Sequence, residues 1–285
     1  MAQAQEVADR LAALGAEPEL VPIVTSGDRG AAAATSPAGV KGLFVAEIVQ
    51  ALLAGEVDLA VHSAKDLPSQ DERGVVVAAV PERADPFDVL VLREPGDLTA
   101  GARVGTSSVR RKAQLLRSRP ELMPTDVRGN VDTRLRKLEE GRVDALVLAA
   151  AGLIRLGVEV PHAVPFPLEE MVPAPGQGAL AVQARANDEA VAELCRQIDH
   201  ERSRVAFEAE RMVMAGLGGG CALPMGAYAE RRDTGVRMLA VVVRPDGSDL
   251  AWAQVEAAGP AEVATEVVRI LREAGADAIL DEVRP

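Results

Sequence analysis

Short apolar segments alternate with amphipathic helical segments along most of this chain, and this alternation limits its fold more than any other feature. Val143–Ala149 is typical of a buried strand, while Ser107–Arg117 has the periodicity of a helix with one buried face. Strands that alternate with helices favour an α/β fold with largely parallel sheets. Glu19–Val24 is a further predicted strand. From Asp188 onwards, two predicted helices precede three predicted strands, which indicates a smaller α+β unit with a hairpin.

Acidic and basic residues are unevenly distributed along the chain. The net charge is −12, but residues 101–137 contain ten basic and three acidic side chains, a local charge of +7. A basic segment in an acidic protein predicts a site for an anionic ligand, although a solvated helix face would have the same composition. Because aromatic residues make up only 2% of the chain, few side chains can stack on bases, and we expect no nucleic-acid partner.

The sequence also bears on location. No apolar run approaches the ~20 residues that span a bilayer. The first residues include acidic side chains, unlike a signal peptide, and two cysteines do not build a disulfide framework. We therefore expect a cytoplasmic protein without a membrane partner. No second cysteine lies at metal-ligand spacing from Cys221, and we expect no metal site.

The motif His62–Pro68 contains side chains that are suited to catalysis, and it lies at the end of a predicted strand. Ligands of open α/β sheets bind at the carboxyl ends of strands. The motif contains the adjacent pair Lys65 and Asp66. The pair predicts either a catalytic site or a plain salt bridge between the strand end and its loop.

Two further motifs predict anion binding. Gly105–Ser108 precedes a helix whose free amides bind anions, and Arg110 and Arg111 follow within one turn. Arg128–Asn130, with Arg134, repeats this arrangement after the next strand. Capped helices with solvated arginines are the alternative. Two such strand ends in consecutive units favour a shared anion site.

The two cysteines are predicted to have different roles. Gly218–Cys221 places a thiol in a glycine-rich loop after a predicted helix. Cys221 is the candidate reactive thiol, with a role as a small buried apolar residue as the alternative. Cys195 shares an apolar helical face with Val191 and Leu194, so we predict that it is a core residue.

Six motifs together closely resemble the porphobilinogen deaminases, or hydroxymethylbilane synthases, of tetrapyrrole biosynthesis. In chain order they are HSAKDLPS, GTSSVRRKAQLL, DVRGNVDTRLRKLEEG, DALVLAAAGLIRLG, PAPGQGALAVQAR and GGGCALPMG. The resemblance extends from about Gly39 to Gly226. It implies two α/β domains similar to type II periplasmic binding proteins and a third, α+β domain with a small antiparallel sheet. The implied boundaries are 1–78 with 179–197, 84–172, and 201–285.

The resemblance also implies an activity. The family condenses four porphobilinogen molecules head to tail, releases ammonia at each step and finally releases the linear hydroxymethylbilane. The chain is thus expected to be a transferase with a dipyrromethane cofactor bound through a thioether to Cys221. Each pyrrole carries an acetate and a propionate, which accounts for clustered arginines in an acidic protein. A monomer is the expected state.

Residue by residue, the resemblance implies that Asp66 is the catalytic carboxylate, which stabilises the cationic azafulvene left by deamination. The residues implied in cofactor binding are Cys221, Lys65, Asp66, Thr106, Ser107, Ser108, Arg110, Arg111, Arg128, Gly129 and Gln177. Those implied in substrate binding are Lys41, Arg128, Arg134 and Arg155.

The chain departs from the family pattern in two places. Pro37 stands where the family usually has a second basic residue, shortly before Lys41. The family also has a strand and an Arg-x-Ser segment before its first helix, whereas Met1–Leu14 is itself a predicted amphipathic helix. We therefore expect the first domain to lack that strand. The alternatives to an active enzyme are a non-catalytic polycarboxylate-binding protein on the same scaffold and a degenerate or truncated homologue without turnover.

Overall fold

The computed structural model describes residues 1–23, 39–219 and 223–284. Cys221 and Pro37 therefore lie outside the described residues. Within these ranges the helices are α1 (Ala2–Ala12), α2 (Gly39–Leu53), α3 (Val109–Ser118), α4 (Val131–Glu139), α5 (Ala150–Leu156), α6 (Glu189–Arg196), α7 (Glu201–Gly216), α8 (Pro260–Glu273) and α9 (Ala276–Asp281). None of them is both long enough and apolar enough to cross a bilayer.

The first sheet has three strands, in the spatial order β1 (Ala60–Ser63), β8 (Leu180–Arg185) and β2 (Val75–Ala79). Alternate residues of these strands point to opposite faces, so one helix layer covers each face. On one face α2 packs through Val49 and Leu52, and on the other α1 packs through Val7 and Leu11. The His62–Pro68 motif begins within β1 and continues past the carboxyl end of that strand.

The second sheet has five strands, in the order β5 (Met123–Thr125), β4 (Arg103–Gly105), β6 (Ala145–Ala149), β3 (Asp88–Leu92) and β7 (Ala163–Pro165). Its central strands are buried along nearly their whole length, which explains their continuous apolar sequence. Leu115 of α3 packs on one face, and Leu138 of α4 and Leu153 of α5 pack on the other.

The third sheet is an antiparallel meander, in the order β11 (Leu250–Ala257), β10 (Gly235–Val243) and β9 (Met225–Arg232). Val213 of α7, Val267 of α8 and Leu280 of α9 cover one face. The other face contacts the second sheet's layer, where Leu239 packs in a cluster with Ala113 of α3. The three sheets therefore pack into one body, with α3 against the third sheet.

The expected fold class, α/β units followed by a smaller unit with an antiparallel sheet, is confirmed. The expectation of largely parallel sheets is wrong for the described strands, because β8 is antiparallel to both its neighbours and β3 to both of its own. β8 enters the first sheet after the chain has formed the second, and it lies between β1 and β2 and runs against both. The described part of the predicted strand Glu19–Val24 is not a strand; its side chains are mostly exposed, and Pro22 removes a ladder donor.

Cys195 is a core residue, as predicted. It lies on α6 in the apolar cluster that contains Val7 and Leu180. Burial raises the pKa of its thiol to about 11, so very little thiolate is present at neutral pH. Cys195 is therefore an unreactive thiol.

Candidate active site

Asp66 lies in a one-turn 3-10 helix, Ala64–Asp66, that directly follows β1. The Ala64 amide donates to the carbonyl of Ala179 (3.0 Å), the residue directly before β8, and Leu67 is buried. A cavity of about 450 Å³ opens here. Its lining includes Lys65, Asp66 and Arg155. The structure thus brings three of the predicted site residues to one cavity.

His62 lines the same cavity and is 5% exposed. Burial lowers the pKa of its imidazole to about 4, because the charged form loses its hydration, although Gln183 and Asp66 act in the opposite direction. The imidazole is therefore neutral at pH 7. Sequence reasoning did not assign His62 a role.

The motif Gly105–Ser108 forms the junction between β4 and α3, as predicted. Ser108 caps α3 by accepting a hydrogen bond from the Arg111 amide (3.4 Å). Thr106 is fully buried, and its Oγ1 accepts from the Ser108 amide (3.2 Å). The Ser107 hydroxyl oxygen is buried, and this hydroxyl, after Lys112, helps to lower the pKa of the Asp126 carboxyl. A Cβ on Gly105 would lie 2.7 Å from both the Leu146 and the Val127 side chains, so a larger residue would displace these core side chains.

Arg110 and Arg111 are both buried, and one carboxylate holds them. Arg110 Nη2 donates to Asp88 Oδ2 (2.7 Å), while Arg111 donates to Asp88 Oδ1 through Nη2 (2.7 Å) and Nε (3.1 Å). Burial alone would raise the pKa of Asp88, but the two guanidinium groups outweigh it and lower the pKa to about 2. Sequence reasoning missed Asp88. The sequence feature that could have indicated it is a lone acidic residue at the start of the apolar strand β3.

Gln177 connects this cluster to the loop of Asp66. Its side chain is fully buried, and its Nε2 donates to Asp88 Oδ1 (2.9 Å) and to the Pro86 carbonyl (2.8 Å). Its Oε1 accepts from Lys65 Nζ (3.4 Å). A continuous series of polar contacts therefore runs from Lys65, through Gln177 and Asp88, to the two arginines at the start of α3.

The connection from β5 to α4 carries Arg128, Gly129 and Arg134. Arg128 is exposed, and Gly129 has a φ of 120° with Thr133 so close that a side chain would collide. Arg134 Nε donates to the Gly129 carbonyl (2.8 Å). Burial, and then the charge of nearby Arg111, lower the pKa of Arg134. No acidic side chain in the described ranges pairs with Arg134, so its guanidinium suits an external anion.

Arg155, another predicted basic residue, already has partners within the protein. Arg155, on α5, donates from Nε to Glu6 Oε2 (2.9 Å) and from Nη2 to the Gly178 carbonyl (2.8 Å), so α1 already supplies it with a carboxylate. Lys41 lies within α2. The described residues contain no group of three or more potential metal ligands.

A second buried carboxylate, Glu210 of α7, joins the segments that connect the sheets. It accepts from Arg83 through Nη1 (2.7 Å) and Nη2 (3.0 Å), and from the amides of Gly176 (2.6 Å) and Ala229 (2.8 Å). Arg83 Nε also donates to the Gln177 carbonyl (2.8 Å). Glu210 therefore fixes the loop of Gln177 against the third sheet. Sequence reasoning missed Glu210, because nothing local distinguishes it from other helical glutamates.

Comparison with known proteins places these features in a family. A family model described as "Porphobilinogen deaminase, dipyromethane cofactor binding domain" matches residues 1–193, and a second, "Porphobilinogen deaminase, C-terminal domain", matches residues 205–275. A porphobilinogen deaminase of Rubrobacter xylanophilus is 46% identical over 288 residues, which cover all of this chain and 94% of that protein. The corresponding protein of Thermus thermophilus is 44% identical over 292 residues, covering all of this chain and 95% of its own length. Because both the α/β part and the C-terminal unit are matched, the chain belongs to the porphobilinogen deaminase family.

Proposed function

We propose that this chain is a hydroxymethylbilane synthase, a transferase that joins four porphobilinogen molecules head to tail and releases ammonia and finally hydroxymethylbilane. The observation that supports this best is the series of contacts from Lys65 through Gln177 and Asp88 to Arg111. The reaction needs a carboxylate to stabilise a cation and guanidinium groups to bind carboxylates. This series connects the loop of Asp66 with the basic start of α3.

Asp66 is the proposed catalytic carboxylate. Loss of ammonia from porphobilinogen leaves a cationic azafulvene, and a fixed carboxylate at the cavity wall stabilises that charge. The carboxylate also accepts hydrogen bonds from pyrrole N–H groups and exchanges protons at its oxygens. His62 supports this role, because its imidazole is neutral and adds no positive charge beside the developing cation.

The acetate and propionate groups of the substrate need cations. We assign this binding to Arg128, Arg134, Lys41 and Arg155. Arg134 is the best supported, because it is partly buried beside another guanidinium and lacks an acidic partner in the described residues. Arg155 has to exchange its ion pair with Glu6 for a substrate carboxylate.

The donors near the start of α3 fit a dipyrromethane cofactor, which carries carboxylates and pyrrole N–H groups. The buried Ser107 hydroxyl and the carboxylate of Asp66 are complementary to those two kinds of group. The proposed cofactor-binding residues are Cys221, Lys65, Asp66, Thr106, Ser107, Ser108, Arg110, Arg111, Arg128, Gly129 and Gln177. When bound, the group supplies the nucleophilic pyrrole carbon from which the product grows. For Arg110 and Arg111, the ion pairs with Asp88 favour an additional role in holding the site together.

The domain boundaries, the location and the oligomeric state belong to the same proposal. We assign residues 1–78 with 179–197, 84–172 and 201–285 to three domains, each built around one of the three sheets. We further propose a cytoplasmic monomer whose partner is porphobilinogen, with no nucleic-acid or membrane partner.

Intact-protein mass and ammonia release test the proposal together. The purified chain should carry the mass of a dipyrromethane adduct and release ammonia from porphobilinogen. Cys221→Ser should remove the adduct, whereas Cys195→Ala, the matched change at the buried thiol, should keep it. An adduct on Cys221→Ser would refute the attachment site. A loaded chain that releases no ammonia would instead support the non-catalytic homologue.

A further inference from the structure

One arginine of α7 holds the loop that follows Asp66. Arg211 donates to the Pro68 carbonyl through Nη2 (3.0 Å) and Nε (3.2 Å). It also makes a two-pronged contact with Asp71, from Nη2 to Oδ1 (2.8 Å) and from Nη1 to Oδ2 (3.0 Å). The Arg211 side chain is only 14% exposed. Paired N–H···O bonds of this kind fix both distance and angle, which a lysine cannot do.

The turn that carries Asp66 depends on anchors outside itself, because a 3-10 turn of three residues has poor hydrogen-bond geometry of its own. Upstream, the Ala64 amide donates to the carbonyl of Ala179, directly before β8. Downstream, the first polar anchor is the Pro68 carbonyl, two residues after Asp66, and its donor is Arg211. Asp71 has a second hydrogen-bond donor, because its Oδ1 also accepts from Gln183 Nε2 of β8 (3.2 Å).

The helix that provides Arg211 is itself fixed in place. One turn earlier, Phe207 is buried in the apolar cluster of the first sheet, and the Arg211 guanidinium lies 5.7 Å from its ring. The residue that precedes Arg211 in the helix, Glu210, is bonded to Arg83 and Gly176. α7 ends at Gly216, five residues before Cys221 in the sequence. One rigid helix therefore connects the loop of Asp66 with the segment that leads to the proposed attachment cysteine.

We propose that Arg211 is a positioning residue, which fixes the loop of Asp66 relative to α7 and thereby sets where the carboxylate lies in the cavity. It contacts no reacting atom. The inference rests on the proposed role of Asp66. It goes beyond that role because it identifies the third-sheet unit, through α7, as part of the machinery that places the carboxylate.

Arg211→Lys tests the proposal because it keeps the charge and removes the fork. We expect kcat to fall about tenfold to a hundredfold, as a displacement of about 1 Å can cost 10²-fold. KM for porphobilinogen should change less than twofold, and the intact mass should still show the cofactor adduct. Amide hydrogen exchange should increase in residues 66–72 and stay unchanged in α3. Arg202→Lys is the matched control, since Arg202 is an exposed arginine of the same helix with one long contact, to Asp233 (3.4 Å).

Asp71→Asn provides an independent variant, because it changes the other side of the contact and keeps the bonds from Arg211 to the Pro68 carbonyl. It should lower kcat and raise exchange in the same loop, and the double variant should be no worse than Arg211→Lys alone. A wild-type kcat in Arg211→Lys, unchanged exchange in the loop, or additive effects in the double variant would overturn the proposal. The exchange experiment does not depend on turnover, so it judges this contact even if the wild-type chain releases no ammonia, an outcome that would refute the proposed function instead.

Discussion

Asp88→Asn is the substitution with the largest expected effect on stability near the site. Asp88 is fully buried and accepts four hydrogen bonds, one from Arg110, two from Arg111 and one from Gln177. Asparagine leaves two buried guanidinium groups without a counter-charge and turns a donor towards their N–H groups. Breaking a buried ion pair on one side costs about 3–5 kcal/mol.

The pKa of Asp88 provides a second, independent magnitude. A decrease from 3.8 in the unfolded chain to about 2 in the folded protein corresponds to about 2 kcal/mol of stability at neutral pH. Because the folded pKa is the lower one, this contribution is complete above pH 4 and is lost as the pH falls towards 2. Protonation of Asp88 removes its charge but leaves its hydrogen-bond partners in place. We therefore expect Asp88→Asn to lower the free energy of unfolding by at least about 2 kcal/mol.

Urea unfolding of the wild type and of Asp88→Asn at pH 7 and pH 3 measures both quantities. We expect a loss of about 2–5 kcal/mol at pH 7, and a smaller difference at pH 3, where about half of the wild-type contribution is gone. Asp126→Asn is the control with the same chemical change; Asp126 pairs with Lys112 at the surface, and such pairs contribute about 0–1 kcal/mol. A loss below 1 kcal/mol for Asp88→Asn, or an equal loss at both pH values, would refute the reasoning.

Three further predictions concern the site and its supports. Asp66→Asn should lower kcat by about 10²–10³-fold, because it removes one preorganised charge, with little change in the urea midpoint; steady-state ammonia release measures it. Arg134→Lys should raise KM for porphobilinogen, since lysine lacks the planar fork, while Arg136→Lys on the exposed face of α4 should leave KM unchanged. Glu210→Gln should destabilise the protein by about 3–5 kcal/mol in urea unfolding, whereas Glu208→Gln, at a half-exposed position, should cost less than about 1 kcal/mol.

Local sequence patterns predicted the elements that carry the motifs, and the positions of the motifs in them, although they wrongly predicted a strand at Glu19–Val24. Gly105–Ser108 lies at a helix start, and the Lys65–Asp66 pair lies at a strand end, because caps, glycines and apolar periodicity are local signals. Strand direction is not local. β8 pairs with β1 and β2 although more than 100 residues separate it from them, so its antiparallel direction depends on the path of the chain through the second sheet.

The buried carboxylates could not be predicted from the sequence, because a charge is recognised as buried only when its partners are known. Asp88 is 22 residues from Arg110 in the chain, and Glu210 is 127 residues from Arg83. The sequence also predicted solvated or ligand-binding arginines at the start of α3, whereas the structure adds an internal carboxylate as their partner. Whether Arg110 and Arg111 also bind the cofactor stays a prediction.

The segment around Gln177 shows why the Asp66 carboxylate, the proposed catalytic group, and the arginines do not need to touch each other. Gly176 has a φ of 73°, and a Cβ there would lie 2.9 Å from the backbone of Ala64. Gly178 has a φ of 85°, and a Cβ there would lie 2.5 Å from the Ala84 carbonyl oxygen. Only glycine permits this approach, so the segment packs directly against the turn of Asp66 on one side and the connection to β3 on the other. The distance between the carboxylate and the basic start of α3 is therefore set by backbone packing, and Gln177, held by this segment, links the two through hydrogen bonds.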